Sequence, residues 1–441
     1  MKLLFKLKKL KNNSGFKKYF TNTSWVLGER IIRMTTLLFI TIYIARYLGP
    51  NNFGLLSYTV SFVALFSAIS HFGLDEILVR ELVKTPQNRD TLLGTVFCLK
   101  IFGTLVMGLC IALVLLFTKS ENHISFMVSI IALGFLFQTT NVIDFFFQAQ
   151  VKSKYTVRAQ FVQLVLTSIL KIFLVWNKAS LIWFAIALML DQMITAILFL
   201  LVYNFKINKF PFFSFTWKKA KVLMRDAWPL IFSGMVVSIY MKIDQVMLKD
   251  ILNNRAVAVY ASAVKLCEAW YFVPTIITAS LFPAIISARK KSTSIYQSRL
   301  QKLYDLMVWG SVLVALPTSI VAEWLIIFLY GYEFSQAAEV LRIYIWAGIF
   351  VSIGIASSKS LIAEKLEKYS LYRTILGAIT NIGLNFWLIP IYGVKGAAYA
   401  TLITQLIASF LILGFFKKTR NNFWIAANSL NPLSAFKRIL K

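Results

Sequence analysis

Twelve apolar runs follow one another along this 441-residue chain, and each is long enough to cross a bilayer. About 20 consecutive apolar residues span the hydrocarbon core as a helix. The composition agrees, since 58% of the residues are hydrophobic, which excludes a soluble globular protein. We therefore expect an all-α polytopic membrane protein. The runs lie at approximately 24–45, 55–74, 92–117, 124–147, 156–176, 179–203, 224–247, 257–286, 303–321, 337–358, 371–389 and 396–416.

A basic, Phe-rich connection divides the runs into two sets of six. The segment Asn51–Tyr58 follows the first run and aligns with Asn253–Tyr260, which follows the seventh. Repeats of six helices share one orientation and pack around an axis along the membrane normal. We expect two six-helix lobes around a central cationic cavity. The predicted parts are a cytoplasmic amphipathic tail (1–22), an N-terminal lobe (23–203), a linker (204–222), a C-terminal lobe (223–416) and a second cytoplasmic tail (417–441).

The basic residues predict the orientation in the membrane. Loops on the cytoplasmic side carry an excess of Lys and Arg. Most of the 47 Lys and Arg fall in the two tails and in alternate loops, so both termini are expected in the cytoplasm. This bias accounts for most of the net charge of +29, which therefore does not indicate a nucleic-acid partner. The opposite face holds Arg46, Lys119, Lys178, Lys249, Arg255 and Lys395.

Seven further cations lie well inside the apolar runs, whereas Arg158, Arg225 and Arg373 lie within two residues of a run's end and are assigned to the cytoplasmic face. A cation at the centre of a membrane helix costs about 2.5–3.5 kcal/mol, so seven facing lipid would cost roughly 20 kcal/mol. At least some must face a water-filled interior, and a basic cavity favours an anionic cargo. Lys242 is the strongest candidate because no acidic residue shares its helix face. The seven are Arg30, Arg33, Lys100, Lys171, Lys242, Lys265 and Arg342.

A structural explanation competes for several of these cations. Glu29 with Arg33, Lys265 with Glu268, and Glu339 with Arg342 are spaced to form ion pairs within one helix. Lys100, Lys171 and Arg342 could instead extend to the membrane interface.

Enzymatic motifs are absent from the sequence. The chain contains no P-loop, no cluster with metal-ligand spacing and no nucleophile elbow. We expect no catalytic residue, no metal and no cofactor. Secondary transport therefore fits better than the alternative, a membrane-embedded polysaccharide polymerase or ligase.

Five segments carry a resemblance to a known family. Ala45–Gly54 (ARYLGPNNFG) resembles the signature after the first helix of bacterial polysaccharide exporters, and Phe146–Ala149 (FFQA) their turn between the fourth and fifth helices. Ile243–Met247 (IDQVM) with Tyr260–Ala263 resembles their seventh and eighth helices. Pro390–Ala398 (PIYGVKGAA) resembles the turn before their last helix. The chain is thus similar to the Wzx-type flippases of the polysaccharide transporter family.

The resemblance implies a function in the bacterial cytoplasmic (inner) membrane. Such a flippase moves undecaprenyl-pyrophosphate-linked repeat units of O-antigen, capsule or exopolysaccharide to the outer leaflet by alternating access. Implied partners are membrane lipids and, beside the cargo, a polysaccharide polymerase and a chain-length regulator. Within the same superfamily, a lipid II flippase would carry two more helices, and a MATE-like exporter would have an acidic lining.

The resemblance also gives the candidate residues their roles. The pyrophosphate would be bound by Lys242, Arg30, Arg33, Lys265 and Lys171. The sugar would contact Asn141, Gln148, Gln163, Asn381 and Asn385. Without an ATP site, the transport could be coupled to a proton or sodium gradient, or driven by consumption of the product. The candidate ion-coupling residues are Asp144, Asp191, Asp244 and Glu268, which could alternatively pair with the basic residues.

Overall fold

The computed structural model describes residues 14–118, 121–207, 214–289 and 292–440, so most of the predicted tail 1–22 and residues 208–213 of the predicted linker lie outside the described residues. No strand occurs in these ranges, which form seventeen α-helices joined by short turns. The helices are α1 Ser14–His71, α2 Leu74–Lys84, α3 Arg89–Phe117, α4 Asn122–Gln138, α5 Val142–Ala149, α6 Lys154–Trp176, α7 Leu181–Ile207, α8 Trp217–Ile251, α9 Asn254–Trp270, α10 Phe272–Arg289, α11 Thr293–Tyr330, α12 Ala337–Ala363, α13 Glu367–Tyr392, α14 Val394–Gln405, α15 Ile412–Phe415, α16 Arg420–Ser429 and α17 Pro432–Leu440.

Eleven helical segments in the described ranges are long and apolar enough to cross a membrane. The first of them, Asn22–Lys84, is 63 residues long, or about 95 Å at 1.5 Å per residue. It therefore holds two spans, because Gly49 has a φ of 69° and interrupts the helical backbone just before Pro50. Counting that segment twice gives twelve spans. The expected fold class, an all-α membrane protein of about 12 helices, is confirmed.

The exposed faces of the helices are apolar. On α3, exposed side chains recur every three or four residues, with exposed fractions between 45% and 74%. A helix face of this kind fits lipid rather than water, since lipid tails solvate apolar side chains. The residues of this stripe are Phe102, Leu105, Leu109, Leu113 and Leu116.

The chain divides into two compact units. The first contains the residues up to Ile44 together with Phe62–Ser238, and the second contains Ala45–Ser61 together with the residues from Ile239 onward. The segment Ala45–Ser61, which the sequence assigns to the N-terminal lobe, thus packs with the second unit.

The first unit has an aromatic core where α5 and α7 meet. Phe146 contacts Phe147 and Tyr203 with ring centroids 5.2 and 5.6 Å apart, both edge to face. All three rings are almost fully buried. Aromatic pairs in this geometry stabilise a core beyond the area that they bury.

In the second unit, the packing of Ala45–Ser61 depends on a glycine. A Cβ atom on Gly54 would lie 1.8 Å from the carbonyl oxygen of Asn254, so only glycine permits this approach. Beside it, the Phe53 ring stacks edge to face on Phe334 at 6.1 Å. The two segments that align in the sequence therefore touch each other in the structure.

The C-terminal helices pack against α11 of the same unit. The buried Asp305 accepts two hydrogen bonds from Arg438 at 2.8 and 2.9 Å, and Trp309 donates to the carbonyl of Ser429 at 2.9 Å. These bonds connect α16 and α17 to the transmembrane helix. Part of the region predicted as a cytoplasmic tail is therefore folded onto the unit.

Candidate functional site

A polar network crosses the interior of the first unit. Arg33 on α1 forms an ion pair with Glu29 one turn earlier, as the sequence spacing predicts. The same guanidinium donates to the Gln163 side chain and to the carbonyl of Gln160, both at 3.2 Å. The charge of this candidate ligand is therefore compensated by a carboxylate.

The network continues to a second ion pair. Lys171 on α6 lies 2.5 Å from Asp191 on α7, with side chains only 6% and 15% exposed. Gln163 donates to Asp191 at 3.2 Å and so connects the two pairs. Lys171 is therefore neutralised inside the unit instead of extending to the interface. A polar cavity of about 230 Å³ borders the network, lined by Arg33, Leu37, Asn141, Gln160, Gln163, Asp191, Gln192 and Thr195.

A third ion pair lies at the turn between α1 and α2. Lys100 is 2% exposed, and its ammonium lies 2.5 Å from Asp75 and 5.0 Å from the Phe145 ring. His71 approaches the other carboxylate oxygen of Asp75 at 3.8 Å. Lys100 is thus buried and paired, and the prediction that it extends to the interface is wrong because Asp75 supplies a closer counter-ion.

Another predicted pairing is replaced by two different ones. Arg342 pairs with Glu323 on α11 at 3.4 Å, while Glu339 pairs with Lys395 at 2.8 Å. The predicted pair within α12, Glu339 with Arg342, therefore does not form. Each residue finds its partner on a neighbouring element.

Lys242 differs from these paired cations. It lies on α8 and is partly buried, and no carboxylate among the described side chains forms an ion pair with it. Arg30, on α1 of the first unit, is exposed and likewise has no ion pair in the described ranges. Lys265 on α9 lies over the Phe53 ring at 5.8 Å. Of the predicted pyrophosphate ligands, Lys242 thus has an uncompensated charge within a membrane span.

Asp244 is the centre of a buried cluster in the second unit. Its side chain is 5% exposed. Oδ1 accepts from the Asn385 amide at 2.6 Å, and Oδ2 accepts from the Tyr260 hydroxyl at 2.5 Å and from Thr401 at 2.9 Å. None of these donors carries a positive charge, and an uncompensated buried carboxylate is costly.

The same cluster contains an acceptor without a donor. Asn385 is 0% exposed and its carbonyl oxygen has no hydrogen-bond partner in the described part of the chain. Asn381, 1% exposed, places its own amide oxygen 3.2 Å from the Asn385 nitrogen. Oxygen atoms of Asp244, Asn381, Asn385 and Thr401 thus belong to one hydrogen-bonded cluster. Carboxylate, amide and hydroxyl oxygens are ligands that hard cations prefer, so the cluster is a candidate site for a proton or a small monovalent cation.

The other predicted residues occupy less distinctive surroundings. Asp144 accepts a hydrogen bond from Gln148 at 2.9 Å in the first unit. Asn141 borders the polar cavity there, and Glu268 is partly buried on α9. Gln163, Asn381 and Asn385 are buried within the two networks. Their predicted contacts with a sugar remain predictions.

The sequence reasoning missed two kinds of residue. Tyr260 and Thr401 complete the Asp244 cluster, but they are neutral and lie 16 and 157 residues away in the chain, so no local pattern indicates them. Arg373 lies near a helix end in the sequence and so falls outside the seven candidate cations. It is eight and twelve residues from Asn381 and Asn385, or about 80° and 120° around the helix, so periodicity does not place it on their face.

An open apolar groove lies on the first unit beside Arg33. It has a volume of about 860 Å³ and is formed by α1 and α6. Its lining is apolar except near Glu29 and Arg158, whose guanidinium stacks over Trp25 at 5.5 Å. The lining residues are Ser24, Trp25, Gly28, Glu29, Ile32, Val157, Arg158, Phe161 and Val162.

Comparison with known proteins places these features in a family. A protein-family model described as "Polysaccharide biosynthesis protein" matches residues 20–289. A curated relative, the "Probable flippase AglR" of Haloferax volcanii, is 28% identical over 207 residues. That match covers 44% of this chain and 40% of the relative, so the chain matches less than half of the relative's length.

Solved structures show the same fold. An inward-facing MATE-family multidrug resistance transporter of the MOP superfamily aligns with a TM-score of 0.71 at 16% identity, covering 90% of this chain and 95% of the other. The lipid II flippase MurJ aligns with a TM-score of 0.70 at 17% identity, covering 93% and 95%. At these identities the likeness establishes the fold and not the cargo.

Proposed function

Because this chain belongs to the polysaccharide biosynthesis protein family, we propose that it is a flippase for lipid-linked oligosaccharides. The cargo would be an undecaprenyl-pyrophosphate-linked repeat unit of O-antigen, capsule or exopolysaccharide. The protein would carry it from the inner to the outer leaflet of the bacterial cytoplasmic membrane by alternating access. The name of the curated relative, a probable flippase, supports this proposal.

The observation that carries the proposal is the uncompensated charge of Lys242. Four of the seven predicted intramembrane cations have carboxylate partners, namely Arg33, Lys100, Lys171 and Arg342. Lys242 lies in a membrane span without one among the described residues, and a charge in this position marks a pathway for a charged substrate. A pyrophosphate supplies the missing negative charge. The other predicted pyrophosphate ligands would contact the cargo at other stages of transport. They are Arg30, Lys265 and, in the polar network, Arg33 and Lys171.

The predicted organisation belongs to the same proposal. Both termini would face the cytoplasm, and the two six-helix lobes, 23–203 and 223–416, would enclose a cationic cavity. In that arrangement the polar side chains Asn141 and Gln148 contact the sugar. A polysaccharide polymerase and a chain-length regulator would act on the product.

The driving force would be an ion that binds at Asp244. Of the four predicted ion-coupling residues, Asp191 has a lysine partner. Asp244 instead accepts hydrogen bonds from neutral donors, and the neighbouring Asn385 oxygen has no donor in the described ranges. A proton or Na⁺ in this cluster would neutralise the carboxylate. Binding and release of that ion would bias the two conformations of alternating access.

Transport of a labelled cargo tests the proposal. Purified protein in liposomes should move a fluorescent undecaprenyl-pyrophosphate oligosaccharide from the inner to the outer leaflet. An impermeant quencher outside the liposomes then reduces its fluorescence. Protein-free liposomes and Lys242→Ala protein are the controls. Equal quenching in all three preparations would refute the flippase function.

A genetic test separates the flippase from the alternative enzyme. Cells without the gene should accumulate lipid-linked units on the cytoplasmic leaflet. If the protein were a polymerase or ligase, single units would still reach the outer leaflet in these cells, and the sugar chains would change in length or linkage. Accumulation outside would favour that second function.

A further inference from the structure

Arg373 on α13 is held in one position by neutral oxygens of α12. Its Nη1 donates to the carbonyl of Gly354 at 3.3 Å and to Ser357 at 2.6 Å, and its Nη2 donates to Ser358 at 2.6 Å. Both serine hydroxyls in turn donate to the Gly354 carbonyl, at 3.0 and 2.8 Å. The guanidinium is therefore fixed by a network within the second unit that contains no negative charge.

This environment distinguishes Arg373 from four other hydrogen-bonded cations of the helices. Arg33, Lys100, Lys171 and Arg438 each contact a carboxylate. Arg373 has no ion pair with any side chain that the structure describes, and it is only partly buried. A fixed guanidinium without a carboxylate partner is suited to bind an anion from outside the chain.

The free donors of Arg373 suit a phosphate. A guanidinium has five N–H groups in a planar fork, and the three hydrogen bonds to α12 leave two. The remaining Nε–H and one Nη2 hydrogen can bind two oxygens of one phosphate side by side. Lysine lacks this geometry, so binding at this site depends on the planar guanidinium as well as on the positive charge.

Arg373 lies close to one end of α13. Arg373 is six residues from the start of α13 at Glu367, or about 9 Å along the helix axis. In the proposed orientation this end of α13 faces the cytoplasm. A lipid of the inner leaflet would meet this end of the helix before it crosses the membrane.

We propose that Arg373, positioned by Ser357 and Ser358, binds the phosphate groups of the lipid-linked cargo when the cargo enters from the inner leaflet. The inference rests on the proposed function and adds an entry site to it. The same chemistry would bind the headgroup of a phospholipid, so the ligand must be identified by comparing the two lipids directly.

Binding to the full-length protein in nanodiscs of phosphatidylcholine provides the test. The probes are undecaprenyl pyrophosphate, phosphatidylglycerol and, as the uncharged reference, undecaprenol. Arg373→Gln should weaken the binding of undecaprenyl pyrophosphate at least tenfold and leave the binding of phosphatidylglycerol unchanged. Arg373→Lys should retain part of the affinity, and Ser357→Ala with Ser358→Ala should lose part of it.

A matched control excludes a general effect of charge. Arg80 is an exposed arginine paired with Asp226, so Arg80→Gln should bind all three probes as the wild type does. The thermal unfolding of each variant shows whether it is folded. If Arg373→Gln does not fold, the lysine variant and the double serine variant provide the comparison.

The outcomes separate this inference from the proposed function. If the wild type binds and transports the cargo but Arg373→Gln and the serine variant bind undecaprenyl pyrophosphate equally well, Arg373 only joins α12 to α13 and the inference is wrong. A loss for phosphatidylglycerol that equals or exceeds the loss for undecaprenyl pyrophosphate would assign the site to lipid phosphates in general and also overturn it. If the wild type neither binds nor moves the cargo, the proposed function fails and the entry site fails with it.

Discussion

Asn385 donates a side-chain N–H to Asp244 at 2.6 Å, while its own buried carbonyl oxygen has no donor among the described residues. The bond joins α13 to α8 across the interior of the second unit. Both side chains are buried, so water does not solvate the unused oxygen or the carboxylate. An unsatisfied acceptor next to an uncompensated carboxylate is costly, and a bound cation would satisfy both at once.

The first prediction is therefore that this cluster binds a cation. Sodium should raise the melting temperature of the purified protein, since a ligand present at 100 times its Kd stabilises the folded state by about 2.7 kcal/mol. Asp244→Asn should remove the response, whereas Asp250→Asn, an exposed position on the same helix, should keep it. If the site binds a proton instead of sodium, lowering the pH should raise the melting temperature in the same way. An unchanged melting temperature in both titrations would contradict ion binding.

The second prediction separates transport from stability at Lys242. Lys242→Ala should abolish transport of the labelled cargo in liposomes, while Lys242→Arg should keep part of it because the charge is retained. The melting temperature of both variants should stay near that of the wild type, since no ion pair is lost. Full transport by a stably inserted Lys242→Ala protein would exclude this residue from the mechanism.

The third prediction assigns the opposite behaviour to Lys171. Removal of one partner from a buried ion pair typically costs about 3–5 kcal/mol, because the other charge is left uncompensated. Lys171→Met should therefore lower the free energy of unfolding by about this amount, and adding Asp191→Leu should restore much of it. A double-mutant cycle from chemical unfolding in detergent measures the coupling. Additive effects of the two changes would show that the pair contributes little.

The helices and the breaks between them are predictable from the sequence because they depend on local properties. An apolar run of about 20 residues forms a membrane helix wherever it occurs, and the pair Gly49–Pro50 marks a break because glycine adopts a positive φ and proline lacks an N–H. The ion pair Glu29–Arg33 is local in the same sense, since one helical turn separates its members.

Contacts between helices are not predictable in this way. The acidic partners of Lys100 and Lys171 lie 25 and 20 residues away, and the partner of Arg342 is on another helix. Periodicity shows which face of a helix is polar but not which neighbouring helix meets that face. The sequence therefore identified Lys242 and Asp244 as candidates, while Tyr260, Thr401 and the serines around Arg373 required the packed structure.

The fourth prediction concerns the close approach of Gly54 to Asn254. A methyl group at Gly54 would lie 1.8 Å from a backbone oxygen that cannot rotate away. Gly54→Ala should therefore force a shift of the backbone and cost at least about 1–3 kcal/mol, as overpacking does. Gly108→Ala is the matched control, because a Cβ there meets nothing within 4 Å, and alanine favours the helix. Thermal unfolding that ranks the two variants in the reverse order would contradict the packing.

The fifth prediction concerns the attachment of the C-terminal helices. Asp305 is fully buried and has Arg438 as its cationic partner, so Arg438→Ala should leave that carboxylate uncompensated and cost about 3–5 kcal/mol. Limited proteolysis should then cleave the C-terminal segment after Lys or Arg residues that are protected in the wild type. The adjacent Lys437→Ala should have little effect, because Lys437 has no ion pair in the described ranges. Equal protection of both variants would show that α17 is held by apolar contacts alone.

The assignment of Ala45–Ser61 to the second unit has a consequence for dividing the gene. The polypeptide leaves one unit at Ile44, enters the other, and returns at Phe62. A gene split at the connection 204–222 would produce a second fragment without the segment that carries Phe53 and Gly54. Such a fragment should be recovered only together with its other half, and a circular permutant with new termini at this connection should fold more readily than either half alone.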